Sequence, residues 1–407
     1  MEKEISDFNQ TPSANRPYIG FFGRRNAGKS SLVNAVTGQA LSIVSQMKGT
    51  TTDPVKKAME LLPLGPVVII DTPGIDDTGQ TGRLRVERAF DVLAKTDMAV
   101  LVMDSSIGIT SDDLSLMAEC RKRNVPFIVV FNKVDAVSDP ANFTIRPADG
   151  YENCPYIAVS AKTGQGINLL KEKISRLAKP AQPNRYIIGD KLKANDVVIL
   201  VTPIDASAPK GRLILPQVQT IRDVLDAHAT CLVTQPDQLS GCLSALKLPP
   251  ALIITDSQVF DRVKNMIPET VKLTSFSILM ARLKGILPAA VEGAHALSAL
   301  QDGDTILISE GCTHHRQCED IGTVKLPRWI EAFTGKKLHF CFTSGGDFPK
   351  DLSSFSLIVH CGGCMLNERE MSNRMTLAEE AGIPFTNYGT LIAQINGILD
   401  RSLAAFE

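Results

Sequence analysis

Two glycine-spaced thiols, Cys361 and Cys364, stand in the stretch His360-Cys361-Gly362-Gly363-Cys364. Thiolates separated by two small residues can grip one metal centre while the backbone folds around it. A third thiol, Cys312, lies in Gly311-Cys312-Thr313-His314-His315. Each group follows an apolar run, residues 305–308 and 355–359, that reads as a buried strand. In open α/β sheets ligands bind beyond the carboxyl ends of the strands, so two parallel strands would bring the three sulfurs together. The same pattern suits a redox Cys-x-x-Cys or simply buried thiols with solvated histidines. Imidazoles beside both loops, His314 and His360, favour a metal site.

A second group of chemistry-bearing residues is nearer the N-terminus. Gly23-Arg24-Arg25-Asn26-Ala27-Gly28-Lys29-Ser30-Ser31 has the phosphate-loop spacing, with an apolar run before it and a helical pattern after. Backbone N–H groups of such a loop converge on phosphate oxygens at a helix N-terminus. Lys29 is expected on the β- and γ-phosphates and the Ser30 hydroxyl on Mg²⁺. Asp71 closes the apolar run 67–70 and can hold Mg²⁺ through water, while the Gly74 amide can sense the γ-phosphate. Asn132-Lys133-Val134-Asp135 follows the run 127–131. The Asp135 carboxylate can accept from guanine N1–H and the 2-amino group, which selects GTP over ATP. Ser160-Ala161-Lys162 ends a further strand against the base. Each motif alone could be an ordinary turn; four in this order, each at a strand end, could not easily be.

The elements needed to position these groups imply the architecture. At 407 residues the chain has room for several domains, and it is 44% hydrophobic, enough for ordinary cores. Alternating strand and helix patterns predict an α/β protein of three consecutive domains. A P-loop GTPase domain occupies 1–178, a small α/β domain 184–258, and a Rossmann-like cluster-binding domain 259–407. Residues up to 16 read as a loose polar arm and the prolines of 179–183 as a stiff linker. The middle segment lacks a glycine loop, a carboxylate pair or a cysteine cluster, and so is a candidate for self-association. His339 and Cys341 read as sheet-facing side chains; helices are expected over 216–227, 236–246, 276–283, 329–333, 368–380 and 391–401.

Charge excludes some partners. With 43 basic and 44 acidic side chains the net charge is −1, which gives no pull towards nucleic acid or anionic membrane. No apolar run approaches the length of a membrane span. Nine scattered cysteines with no export signal suggest reduced thiols and the cytoplasm.

The first domain resembles translation-factor-like GTPases of the Era and TrmE branch, through residues 23–32 and Gly49-Thr50-Thr51-Thr52-Asp53. That resemblance implies that Thr51 joins Mg²⁺ when GTP is bound and that Asn26 coordinates K⁺ beside the phosphates. Ile75 follows Gly74, so no glutamine stands there to orient water, and Gly82 aligns with the branch's catalytic glutamate; slow turnover is expected. With Cys312-Thr313-His314 and His360-Cys361-Gly362-Gly363-Cys364 added, essentially the whole chain resembles the HydF family of FeFe-hydrogenase maturation GTPases. The resemblance implies a 4Fe–4S cluster on Cys312, Cys361 and Cys364 and a homodimer formed through the middle domain. It also implies a scaffold, or metallochaperone, that takes a di-iron precursor from two radical-SAM maturases and delivers it to apo-hydrogenase. An imidazole, His314 or His360, is the expected exchangeable fourth ligand, with Cys318, Glu310, Glu319 or water as alternatives. The competing readings are an RNA- or ribosome-associated GTPase with a structural zinc site, and a redox Cys-x-x-Cys domain fused to a GTPase.

Overall fold

The computed structural model describes residues 15–38, 55–62, 64–75, 80–139, 143–178, 186–204, 213–311 and 320–407. The N-terminal arm, Thr51 with the first switch, the 179–183 linker, and Cys312, His314, Cys318 and Glu319 fall outside those residues. The chain divides into two compact units, Met1–Ala181 and Gln182–Glu407.

The first unit is built on six strands: β1 (Tyr18–Phe22), β2 (Val55–Leu61), β3 (Gly65–Asp71), β4 (Met98–Asp104), β5 (Phe127–Asn132) and β6 (Tyr156–Ala158). Their order is β2-β3-β1-β4-β5-β6, and only β2 runs antiparallel to its neighbour. Strands buried on both faces need apolar residues at every position. Accordingly Ile19 and Phe21 join Val100, Val102, Ile128 and Val130 in one core, while Val68, Ile70, Leu101 and Val129 fill the other. The helices Lys29–Thr37, Ser111–Lys122 and Ile167–Leu177 cover these faces.

The second unit holds two parallel four-stranded sheets. The first contains β7 (Val197–Val201), β8 (Thr230–Thr234), β9 (Leu252–Thr255) and β10 (Leu273–Ser275), in the order β10-β9-β7-β8. Its fourth strand lies beyond residue 258, where the sequence pattern ended that domain. The second contains β11 (Thr305–Glu310), β12 (His339–Ser344), β13 (Leu357–His360) and β14 (Phe385–Asn387), in the order β12-β11-β13-β14. The two sheets share one core: Ile199, Val201 and Ile253 cluster with Ile306, Ile308, Leu357 and Val359. The helix Phe276–Leu283 follows β10 and is capped by Ser275 Oγ, which accepts from Ile278 N. Three of its residues, Phe276, Leu279 and Met280, pack on the outer face of the first sheet. Its Ala281 belongs to the core of the second, with Leu307 and Ile358.

Several bounds differ from the sequence pattern for visible reasons. The helix expected over 391–401 is two, Tyr388–Ile395 and Leu399–Leu403, because Gly397 turns with φ 66° between them. The segment 236–246 is one 3₁₀ turn, Pro236–Gln238, and a short helix, Leu239–Ser244. The expected 329–333 helix begins earlier, at Leu326, on a π-turn over Ile321–Lys325. His339 and Cys341 both lie exposed on the edge strand β12.

Candidate functional site

In the first unit the chemistry gathers at the carboxyl ends of β1, β3, β4 and β5. Gly28 is the N-cap of Lys29–Thr37 at φ 89°. A Cβ there would stand 2.3 Å from Asn132 Nδ2, so only glycine lets the loop pass this close to the base-recognition strand. Asn132 Nδ2 donates to Ala27 O at 3.0 Å and its Oδ1 accepts from Ala161 N at 3.0 Å. One buried amide thus joins phosphate loop, base loop and the 160–162 loop. Lys29 is buried, and its Nζ donates to Gly23 O at 2.9 Å and Arg24 O at 2.8 Å, holding the ammonium inside the loop's curl.

Ser30 Oγ donates to Asp71 Oδ2 at 2.6 Å, which brings the two expected Mg²⁺-side oxygens together. Gly74 lies just past them, and Ile75 N donates back to Gly23 O at 3.4 Å. Asp135 Oδ1 accepts from Ser160 Oγ at 2.6 Å, which orients the carboxylate expected to read guanine. Lys133 takes a left-handed φ of 66°, and its Nζ pairs with Asp104 Oδ2 at 2.7 Å. Burial raises the Asp104 pKa, but hydrogen bonds from Lys133 and Ser106 outweigh it and hold the carboxyl below its ordinary value. Asn26 also has positive φ, 60°, at the outer turn of the phosphate loop. The sequence spacing did not single out the Lys133–Asp104 pair; opposition of Asp104 and Asn132 in the β4–β5 register puts them side by side.

In the second unit β11 leads to β12 on one side and the chain then crosses to β13 on the other. The topological switch point is therefore the crevice between the carboxyl ends of β11 and β13. Gly311, the last described residue before Cys312, follows β11 there, and Cys361 follows β13 directly. Cys361 N donates to Ser309 O at 2.9 Å, extending the ladder by one residue. Cys361 Sγ accepts from Gly311 N at 3.0 Å and from Gly363 N at 3.4 Å. Two N–H groups converging on one sulfur suit a thiolate. Gly363 has φ 63°, and a Cβ on it would meet Met371 Sδ at 2.6 Å, so the second glycine of the pair is required by the turn.

Cys364 is largely enclosed. Burial raises its pKa, while the charge of Lys284 and nearby backbone N–H groups pull the other way. Lys284 is itself buried and donates to Leu366 O at 2.8 Å. A buried ammonium beside a thiol loop fits a site that gathers negative charge. Glu310, 5% exposed, accepts from Tyr388 Oη at 3.3 Å at the same end of the sheet. Soft sulfur donors with backbone N–H support are the donor set of iron–sulfur and zinc centres. Among the described residues no group of three or more His, Cys, Asp or Glu is assembled for a metal; Cys312 and His314 lie outside them.

His360 does not stand as its neighbouring cysteines suggest. It is fully buried, stacked on Phe385 with ring centroids 5.9 Å apart. Its Nδ1 contacts Cys361 O at 2.8 Å, so Nδ1 carries the proton. Nε2 then accepts from Arg374 Nη1 at 2.9 Å. Burial, reinforced by the Arg374 charge, pushes its pKa down to about 3. With both nitrogens engaged, this conformation offers no lone pair to a metal, contrary to the expectation of His360 as a ligand. The cause is strand alternation, which sends residues 360 and 361 to opposite faces.

The fold and the phosphate and base loops define a P-loop GTPase domain. Its sequence matches the profile described as 50S ribosome-binding GTPase over residues 18–133. It is 36% identical over 183 residues to GTPase Der of Wolinella succinogenes, covering 43% of this chain and 38% of that protein. It is 35% identical over 158 residues to tRNA modification GTPase MnmE of Chromobacterium violaceum, covering 39% of this chain and 34% of that protein. The chain thus spans little more than a third of the length of these curated relatives. Among solved structures, Era bound to MgGDPNP and 16S ribosomal RNA nucleotides has 19% identity and a TM-score of 0.34, covering 54% of this chain and 93% of that one. The second unit matches the hydrogen maturase F dimerization domain over 187–285 and the hydrogen maturase F tetramerization domain over 288–405. The chain belongs to the hydrogen maturase F family.

Proposed function

We propose that this chain is a GTP-hydrolysing scaffold for assembly of the FeFe-hydrogenase active site. Its first unit binds GTP with Mg²⁺ at Ser30, Asp71 and Thr51, with the phosphates on the loop from Gly23 to Ser31. Asn132, Lys133 and Asp135 hold the guanine, with Ser160, Ala161 and Lys162 against it. Asn26 holds K⁺, which neutralises charge developing between the β- and γ-phosphates. Its second unit holds a 4Fe–4S cluster on Cys312, Cys361 and Cys364, and self-associates through its dimerization and tetramerization regions. The cluster supplies an iron with an exchangeable position, beside which a di-iron substrate can dock; His314 is the remaining imidazole candidate for that position. Radical-SAM maturases would supply the substrate and apo-hydrogenase would receive it. The reading keeps domain limits near 178 and 184 and moves the expected 258 limit to the far side of the helix Phe276–Leu283, because β10 pairs with β9.

One observation carries the cluster reading: Cys361 Sγ, at the β11–β13 crevice, accepts two backbone N–H groups from the two cysteine-bearing loops. The residues present fit an iron–sulfur cluster by donor chemistry. The match to a tRNA modification GTPase spans 39% of this chain, about the size of a GTPase domain, and gives no ground for an RNA role for the cysteines. Anaerobic purification tests the reading. Brown protein with iron and sulfide, lost in Cys312→Ser, Cys361→Ser and Cys364→Ser, supports it; a colourless zinc protein overturns it.

A further inference from the structure

Among the described residues Arg374 is the largest fully buried side chain, at 2% exposure, on the helix Glu368–Glu380. Its Nη1 donates to His360 Nε2 at 2.9 Å and to Ser309 Oγ at 3.3 Å. Its Nη2 donates to Gly345 O at 2.6 Å and to Glu370 Oε1 at 2.8 Å. One guanidinium therefore bonds the ends of β11 and β13, the turn after β12, and its own helix. Ser309 and His360 are register partners, three positions before Cys312 and one before Cys361. Thr343 Oγ1 also donates to Ser309 Oγ, at 3.0 Å, so the edge strand β12 is drawn into the same knot.

Packing alone does not call for this arrangement. Enclosing an arginine and a glutamate takes both charges out of water, and apolar side chains of equal volume often serve stability as well or better. What the guanidinium adds is direction: a rigid planar fork fixes several acceptors at set angles and distances. Two of the acceptors fixed here are Ser309, next to last in β11, and His360, the last residue of β13, the two strands that precede the thiols. On the cluster reading above, we infer that Arg374 is the positioning residue of the cysteine site, fixing the carboxyl ends of β11 and β13 against each other and so the placement of Cys361 at the crevice. His360 is its lever: the imidazole passes the constraint from Arg374 Nη1 through Nδ1 to the carbonyl of Cys361.

The full chain, loaded with iron and sulfide anaerobically, tests this. Arg374→Met should keep the far-ultraviolet circular dichroism of wild type yet release iron to a chelator about tenfold faster, as loss of outer-shell support does at other metal sites. The reduced cluster's electron-paramagnetic spectrum and midpoint potential should both move. Arg374→Lys, with charge but no fork, should recover less than half of the lost retention. Ser309→Ala deletes a single oxygen from the knot and should shift the spectrum in the same sense, which keeps the test open if Arg374→Met fails to fold. A loaded wild type with unaltered spectrum, potential and iron release in Ser309→Ala and in the folded Arg374 variants overturns this inference alone. A wild type that takes up no iron overturns the cluster reading and this inference with it.

Discussion

Ser30 Oγ and Asp71 Oδ2, 41 positions apart in sequence, meet at 2.6 Å where the first helix starts and β3 ends. A hydroxyl and a carboxylate this close form one side of an oxygen cage for a small hard cation. Asp71→Ala should therefore weaken Mg²⁺-dependent GTP binding at least about tenfold, the loss of one charge-assisted contact. Titration of a fluorescent GTP analogue with and without Mg²⁺ reads this. Equal Mg²⁺ dependence in variant and wild type would place the cation elsewhere.

Asp135 is oriented by Ser160, and that makes its base preference testable. Asp135→Asn replaces an acceptor partly by a donor. GTP affinity should fall by about 1.5–3 kcal/mol, roughly tenfold or more, as a charge-assisted hydrogen bond is lost. Xanthosine triphosphate, with an acceptor where guanine has an amine, should gain by comparison. Competition binding with both nucleotides checks the pair, and unchanged GTP affinity would count against the assignment.

Potassium should accelerate turnover. Asn26 stands at positive φ in the phosphate loop, and Ile75 occupies the place where a glutamine would orient water. Exchange of sodium for potassium at constant ionic strength should raise the hydrolysis rate, and Asn26→Ala should erase the difference. Identical rates in the two salts would rule the cation out.

The second unit contains an acid-sensitive tie. Arg282 bonds Asp190 through both nitrogens, at 2.8 and 2.6 Å, and also reaches Ile187 O at 2.9 Å. The hydrogen bond from Arg282 holds the Asp190 carboxyl below its ordinary value against the opposing effect of burial. A depressed folded pKa means stability that is present above the unfolded pKa and lost as pH falls through the folded one. Arg282→Met should destabilise the unit by about 1–3 kcal/mol at pH 7, and the gap should narrow as pH drops below about 4, leaving the part owed to the carbonyl contact. Urea titrations of variant and wild type at both pH values measure it.

The nucleotide site was largely legible in the sequence because each of its motifs sits where an apolar run stops. Strand ends are local signals, and Gly28, Lys29, Asp71 and Asn132 converge once the parallel order is set. The cysteine site was legible only in its placement. Adjacency in sequence made His360 look like a ligand, whereas strand alternation turns it inward. Its partner Arg374 lies 14 positions later on the helix Glu368–Glu380, too far along the chain for spacing alone to join the two. The limit of the middle sheet was missed for a related reason: β10 has three residues, too few to show a period, and it runs straight into a helix.

The helix Phe276–Leu283 has a practical consequence for anyone dissecting the molecule. Its residues are divided among the cores of both sheets of the second unit, and a Cβ added to Gly362 of the thiol loop would come within van der Waals reach of Ser277 and Met280. Scissors applied near Gly285 would leave two fragments, each with an open apolar wound, although two sequence families divide there. The division into two compact units, at Ala181 and Gln182, leaves this helix and both sheets together. The second unit should therefore survive dissection only with both of its sheets in one piece.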